Sequence, residues 1–239
     1  SPLNEQYRMH EQIMNTINHF YKDEESGLKG LECGIKEVMD IDDPTNGGSR
    51  YHGIQFEPFM NRNRHVLWVD VPDHEDKQQS GSTSRTNKAE AEAIALVIKA
   101  LKKSKGFEEY MSRQTSKEDK EIGIITFYGA QAALIEDMKK TGKLDPSLSY
   151  RINVVDKFQG MERNIVIIST VRSNNEGPRG LGFTSDPRRI NVGFSRAKSL
   201  LIIVGNRSFL SRNNTDYAKA ISTIGNNKID IQTLKHLIK

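Results

Sequence analysis

Apolar residues fall in short runs, rich in Val and Ile and bounded by polar residues. Residues 65–71 (HVLWVDV), Ile122–Phe127, Ile152–Val155, Ile165–Val171 and Leu200–Val204 read as buried strands. Such runs suit a parallel sheet covered on both faces. Elsewhere the apolar positions recur at helical spacing. Met9, Ile13, Ile17 and Phe20 or Tyr21 share one face within residues 3–22. Ala91, Ile94, Ala95, Val97, Ile98 and Leu101 follow Asn87, with Glu90 placed to complete a capping-box-like helix start. Ala132, Leu134, Ile135 and Met138 follow Tyr128–Gln131, and Ile190, Val192, Phe194 and Ala197 give Arg189–Lys198 an apolar side. Tyr217–Ile224 and Ile229–Ile238 read as a C-terminal helical layer. Strands alternating with helices predict an α/β fold of three layers with a mainly parallel central sheet. Residues 23–62, broken by Gly and Pro, read as an irregular insertion within one domain spanning 1–239; Asp40–Asn46 reads as a loop and Tyr110–Lys120 as a charged surface connection.

Composition narrows the classes. The 239 residues suffice for one large domain or two small ones. A formal net charge of +4 tolerates a polyanionic partner without demonstrating one. Cys33 is the only cysteine, which excludes an intramolecular disulfide and a cysteine-based zinc site, and fits a reducing compartment. No apolar run approaches the roughly 20 residues a membrane span needs. The abrupt start suggests a fragment whose N-terminal part is missing.

Candidate chemistry gathers in two polar segments, Asp156–Arg163 and Arg172–Lys198, which begin where strands end. In open α/β sheets ligands bind outside the carboxyl ends of strands. Gly160 lets a backbone approach a ligand closely, and Glu162 can accept hydrogen bonds from a ribose. Arg172, Ser173 and Asn174 suit either a sugar–phosphate contact or a plain polar turn. Thr126, Tyr128 and Gln131 cluster at a strand end and helix start, where helix amides hold phosphate and an aromatic face supports a base; a capped helix with a half-buried Tyr is the plainer account of those residues alone. Near the start, Arg8 offers a planar guanidinium for phosphate and Tyr7 a flat face for a base, although a solvated Arg and a core Tyr explain the same pattern. His65, Asp70, Asp73, His74 and Asp76 have ligand chemistry but no recognised metal spacing, so a hydrophilic loop is the reading there.

Four segments, in order, resemble motifs of superfamily 1 helicases, in the branch that contains the nonsense-mediated-decay helicase. LNEQYRMH resembles that branch's QYR-type motif, IGIITFYGAQ its "ITPYxxQ" segment, VDKFQGMERNIVIISTVRSN motif V, and RRINVGFSRAK motif VI. Phe127 replaces the family's Pro, and Gly193, Phe194 and Ser195 its usual Ala, Leu and Thr. The resemblance implies a RecA-like, P-loop-NTPase-type fold, the second motor domain of an ATP-dependent DNA or RNA helicase of intracellular, cytoplasmic location. It implies nucleotide contacts from Gln6, Tyr7, Gly160 and Glu162, charge stabilisation from Arg8 and an arginine-finger Arg196, and a single-strand grip by Thr126, Tyr128, Gln131, Asp156, Gln159, Arg172, Ser173 and Asn174. Arg188 and Arg189 read as surface salt-bridge residues.

No G-x-x-x-x-G-K-[ST] occurs, and Thr141-Gly142-Lys143-Leu144 lacks both its spacing and its hydroxyl. Nor does an apolar strand end in an Asp-Glu pair. The phosphate cradle and Mg²⁺ ligands for ATP are therefore expected in an N-terminal motor domain of the same polypeptide. A stand-alone nucleic-acid-binding module without ATPase activity, or a protein scaffold, stays open as the alternative; the set of Arg8, Glu162 and Arg196 argues for the motor.

Overall fold

β-branched residues stiffen an extended backbone and pack well on a pleated surface, and the Val/Ile runs of this chain become the strands of one sheet. The computed structural model describes residues 4–35, 50–77 and 80–239; the expected loop at Asp40–Asn46 lies outside them. In chain order the elements begin with β1 (Glu5–Gln6), α1 (Glu11–Ile17), β2 (Lys22–Asp23), β3 (Leu28–Lys29), β4 (Glu32–Cys33) and β5 (Val66–Asp70). Then come α2 (Lys88–Lys103), α3 (Phe107–Ser112), α4 (Lys117–Lys120), β6 (Glu121–Thr126), α5 (Gly129–Lys140), β7 (Ser149–Val154) and β8 (Arg163–Ser169). The chain ends with α6 (Pro187–Phe194), β9 (Ala197–Gly205), α7 (Arg207–Asn213), α8 (Thr215–Ile224), β10 (Lys228–Asp230) and α9 (Ile231–Leu237).

Six strands form a sheet in the order β10-β5-β9-β8-β6-β7, and every pairing in it is parallel. Side chains alternate between its faces. Leu67, Ile124, Ile165, Ile167, Leu200 and Ile202 meet α2, α3, α5 and α9, while Trp68, Ile125, Val166, Ile168, Leu201 and Ile203 meet α1, α6, α7 and α8. Both faces are covered, which is why the strands read as unbroken apolar runs. The architecture is the three-layer α/β, RecA-like arrangement.

Several boundaries differ from the sequence reading. The helix expected over Arg189–Lys198 begins at Pro187, capped by the Asp186 side chain, and stops at Phe194. Arg163 N donates to Arg196 O and Ala197 pairs with Arg163, so the last residues of that stretch open β9. The C-terminal layer includes an edge strand, β10, whose single buried apolar residue, Ile229, gives no periodicity to detect. Tyr110–Lys120 is more than a surface connection, because Tyr110 is buried in the core. Within 23–62, β2 and β3 form a short hairpin, β4 pairs with β1, and Ile54, Phe59 and Met60 are buried in the core. Among the described residues, no helix is long and apolar enough to cross a membrane.

Candidate nucleotide and nucleic-acid site

The candidate residues divide between the two rims of the sheet. β8 has seven residues and so spans roughly 20 Å at about 3.3 Å per residue. Glu162 and Arg196 immediately precede β8 and β9 and stand at the amino-end rim. Asp156 follows β7, and Arg172–Asn174 follow β8, at the carboxyl-end rim. The link 155–162 and helix α6 each run between the rims on the same side of the sheet, so a polar segment that begins at a strand's end delivers its last residues to the opposite rim.

At the amino-end rim, Gln6 builds the turn that presents Tyr7 and Arg8. Its side-chain oxygen accepts from Arg8 N and Met9 N, both at 2.9 Å, and its amide donates to Met9 O at 2.8 Å. Gln6 is thus occupied as a positioning residue. Arg50 Nε caps the Arg8 carbonyl at 2.8 Å, and His10 N donates to Lys198 O at 2.9 Å, which ties the segment to β9. Tyr7 is 63% exposed, over Gly34, where a side chain would collide with its ring.

Arg8 Nε lies 3.8 Å from Glu162 Oε2, too long for a hydrogen bond. That Nε is buried and has no hydrogen-bond partner among the described residues. The Glu162 carboxylate is exposed, two residues after Gly160, whose φ of +80° favours glycine. Arg196 is nearly buried; it donates to Val192 O at 3.1 Å, to Met161 O at 3.2 Å and to Ser195 Oγ at 3.2 Å. Burial lowers the pKa of its guanidinium, the like charge of Arg8 adds to this, and Glu162 offsets part. Two cations and one carboxylate, from three segments far apart in sequence, therefore share one electrostatic neighbourhood.

The carboxyl-end rim is organised by two glutamates, Glu75 and Glu90, whose role there no local pattern showed. Both oxygens of Glu75 share the Arg172 Nε–H, at 3.1 and 3.0 Å, and the carboxylate also accepts from Ser173 N at 2.7 Å and from Asn174 Nδ2 at 3.1 Å. Burial works to lower the Arg172 pKa, but Tyr128 and Glu75 outweigh it and the net shift is upward. Glu90 does not close the expected capping box. Asn87 does cap α2, accepting from Glu90 N at 3.1 Å. The Glu90 carboxylate instead turns inward and accepts from Ser169 Oγ at 2.6 Å, Val171 N at 2.7 Å and Thr170 Oγ1 at 3.2 Å. It fixes Val171 in a left-handed conformation, φ +69°, that a β-branched residue rarely adopts. Burial pushes the Glu90 carboxyl up to about 7 against these hydrogen bonds.

Gln131 is fully buried. It accepts from Asn87 N at 2.8 Å and donates to Asn87 O at 3.0 Å and Ser169 Oγ at 3.1 Å. Thr126 is buried as well, its hydroxyl without a partner among the described residues. Tyr128 is buried, and its hydroxyl bonds Arg172 Nη1 at 3.0 Å and Phe183 N at 3.1 Å. Tyr128 therefore holds Arg172 directly, Gln131 reaches the loop through Asn87, whose Nδ2 donates to Val171 O at 3.0 Å, and Thr126 is buried at the end of β6. Asp156 and Gln159 are exposed, and Asp156 pairs with Arg189 at 3.0 Å. His65 sits apart from the nearby aspartates, stacked on His10 with ring centroids 3.5 Å apart. Among the described residues, no group of three or more His, Cys, Asp or Glu is arranged to hold a metal ion.

Comparison with known proteins identifies the family. Residues 1–208 match the family described as AAA domain. The chain is 32% identical over 213 residues to the Regulator of nonsense transcripts 1 homolog of Drosophila melanogaster, covering 88% of this chain and 16% of that protein. It is 34% identical over 214 residues to the homologue of the same name from Arabidopsis thaliana, covering 88% and 15%. Against ATP-dependent helicase NAM7 of Saccharomyces cerevisiae it is 45% identical over 96 residues, 39% of this chain and 10% of that one. The chain spans a fifth or less of the length of these curated relatives. It belongs to the AAA domain family and, by its similarity to the nonsense-transcript regulators, to their branch of the superfamily 1 helicases.

Proposed function

We propose that this domain is the second lobe of an ATP-driven motor that moves along single-stranded DNA or RNA in the cytoplasm. The observation that carries the reading is the meeting of Arg8, Glu162 and Arg196 at one rim, with an Arg8 Nε that has no hydrogen-bond partner among the described residues and an exposed Glu162 carboxylate. A pure binding module or a scaffold has no need of two arginines poised beside a ribose-sized acceptor.

ATP bound between the lobes would close the cleft, and hydrolysis of its phosphoanhydride would let the cleft reopen. On this side of the cleft, Arg8 would turn its guanidinium, held only loosely by Glu162, toward the phosphates. Arg196, anchored on two carbonyls, brings a fixed positive charge to bear where negative charge develops on the transferring group. Glu162 accepts from the ribose hydroxyls, Tyr7 covers the base, Gly160 leaves room for the sugar, and Gln6 holds the turn. With neither a phosphate loop nor a cluster of acidic ligands among its described residues, the domain leaves the phosphate cradle and Mg²⁺ to the N-terminal motor domain of the same polypeptide. At the carboxyl-end rim, Asp156, Gln159 and the Arg172–Asn174 loop meet the strand, Tyr128 and Gln131 stiffen that loop from beneath, and Thr126 joins the grip only if the loop moves. Closure at one rim then shifts the grip at the other through β8, which joins them.

The isolated chain tests this. Its ATP turnover should be at background in a phosphate-release assay with oligonucleotide present, and its strand binding weak and steeply salt-dependent, because phosphate contacts dominate such binding. Robust turnover that survives stringent purification would refute the half-motor assignment.

A further inference from the structure

We infer that Phe183 is a base-stacking platform for single-stranded nucleic acid. The inference rests on the proposed strand grip at the carboxyl-end rim and names the side chain there that takes the base itself. Sequence reading had given that role to Tyr128, but Tyr128 is buried and its face is closed to a ligand in this conformation. Phe183 is 52% exposed. Single exposed apolar residues are ordinary; what sets this one apart is how firmly it is held.

Its backbone N donates to Tyr128 Oη at 3.1 Å, and the same hydroxyl takes Arg172 Nη1 at 3.0 Å. Gly182, just before it, has φ +52° and ψ −134°, and a Cβ there would collide with Arg172 and Tyr128. Thr184, just after it, is buried, donates its hydroxyl to Thr170 O at 2.9 Å and accepts from Tyr217 Oη at 3.1 Å. Asn174 holds Gly180 O at 2.9 Å. The segment carrying the ring is thus fastened to the loop that follows β8, on both sides of Phe183, while the ring is left in water.

The ring's neighbours suit a nucleotide. The Arg189 guanidinium carbon lies 5.0 Å from the ring centroid, a cation–π distance, and the Tyr128 ring centroid lies 5.7 Å away. A cation beside an exposed aromatic face gives the two parts of a sequence-tolerant single-strand site, charge for the backbone and a flat surface for the base; Arg189 would exchange its surface pairing with Asp156 and Asp186 for a phosphate. A pre-ordered ring has little side-chain freedom left to lose on binding.

The test compares the chain, Phe183→Ala and Phe183→Trp against a DNA oligothymidylate and an abasic oligonucleotide of equal length, by fluorescence anisotropy. Phe183→Ala should weaken oligothymidylate binding about five- to hundred-fold and abasic binding little, given that a stacked base contributes about 1–3 kcal/mol. Phe183→Trp should bind at least as well as the parent. Its indole should be quenched by the oligothymidylate and not by the abasic strand; the chain's one native tryptophan, Trp68, is fully buried and should stay silent. Equal affinity of the parent chain for both oligonucleotides, or an unquenched indole in a bound complex, would overturn the inference while leaving the strand grip standing. No binding to either strand would overturn both. An indole that responds to a purified N-terminal motor domain and to no oligonucleotide would place the ring at a protein interface instead.

Discussion

Glu90 offers a sharp test of the carboxyl-end rim. It is fully buried in the first turn of α2, and its carboxylate receives three donors from residues 169–171. Burial raises its pKa from an ordinary 4.5 to about 7. The folded protein therefore holds this proton more tightly than the unfolded chain does. The resulting stability is fully present below about pH 4.5 and is lost as pH rises through 7. The gap corresponds to about 3 kcal/mol. Glu90→Gln fixes the neutral form. Its oxygen can take Val171 N and Ser169 Oγ, and its amide can donate to Thr170 Oγ1, so no donor is stranded. In urea unfolding from about pH 5 to about pH 8, parent and Glu90→Gln curves should diverge, the parent losing up to about 3 kcal/mol relative to the variant. Glu90→Ala should cost about 3 kcal/mol near pH 5, since Val171 N is left buried without an acceptor. Parallel parent and Gln curves would show that Glu90 does not carry a displaced proton, and would refute the reasoning.

The histidines pull the other way. Burial first, then His52 and His10, depresses His65 to about 2, so its contribution is present above its unfolded pKa of about 6.5 and drains as pH falls. The parent should lose about 2 kcal/mol between about pH 7 and pH 5 relative to His65→Phe, read as converging urea midpoints; a constant difference would contradict this. Arg189 pairs at the surface with Asp156 and Asp186 at 3.0 and 3.7 Å. Arg189→Ala should cost less than about 1 kcal/mol in a thermal melt, with the deficit vanishing in concentrated salt; a large, salt-insensitive loss would make it a core residue.

The sheet was legible because its strands are buried on both faces and so spell uninterrupted Val/Ile runs. The start of α2 was legible because Asn87 is a local cap. The destination of Glu90 was not, because its partners lie 79, 80 and 81 residues away. Glu75 sits in a stretch that reads as a hydrophilic loop; what makes it a hub is Arg172, Ser173 and Asn174, 97 to 99 residues on. Tyr128 and Gln131 show why a motif position is not a contact. Their spacing marks a helix start, but only the tertiary fold reveals that both turn inward. For Arg8, Glu162 and Arg196 the motifs named the residues; the sheet's parallel register brings Glu162 and Arg196 to one rim, and the His10 N to Lys198 O bond ties the Arg8 segment to it.

The most direct measurement is steady-state ATPase of the protein carrying both motor lobes, with saturating nucleic acid, for Arg8→Ala beside the parent. Arg8 is preferable to Arg196 because its Nε makes no hydrogen bond within the described residues, so its removal leaves little of the fold unpaired. The expected result is a fall in kcat of about 10³-fold or more, with an unchanged melting curve and nearly unchanged strand affinity. Near-normal turnover in a well-folded Arg8→Ala protein would contradict the assignment of this rim to the nucleotide.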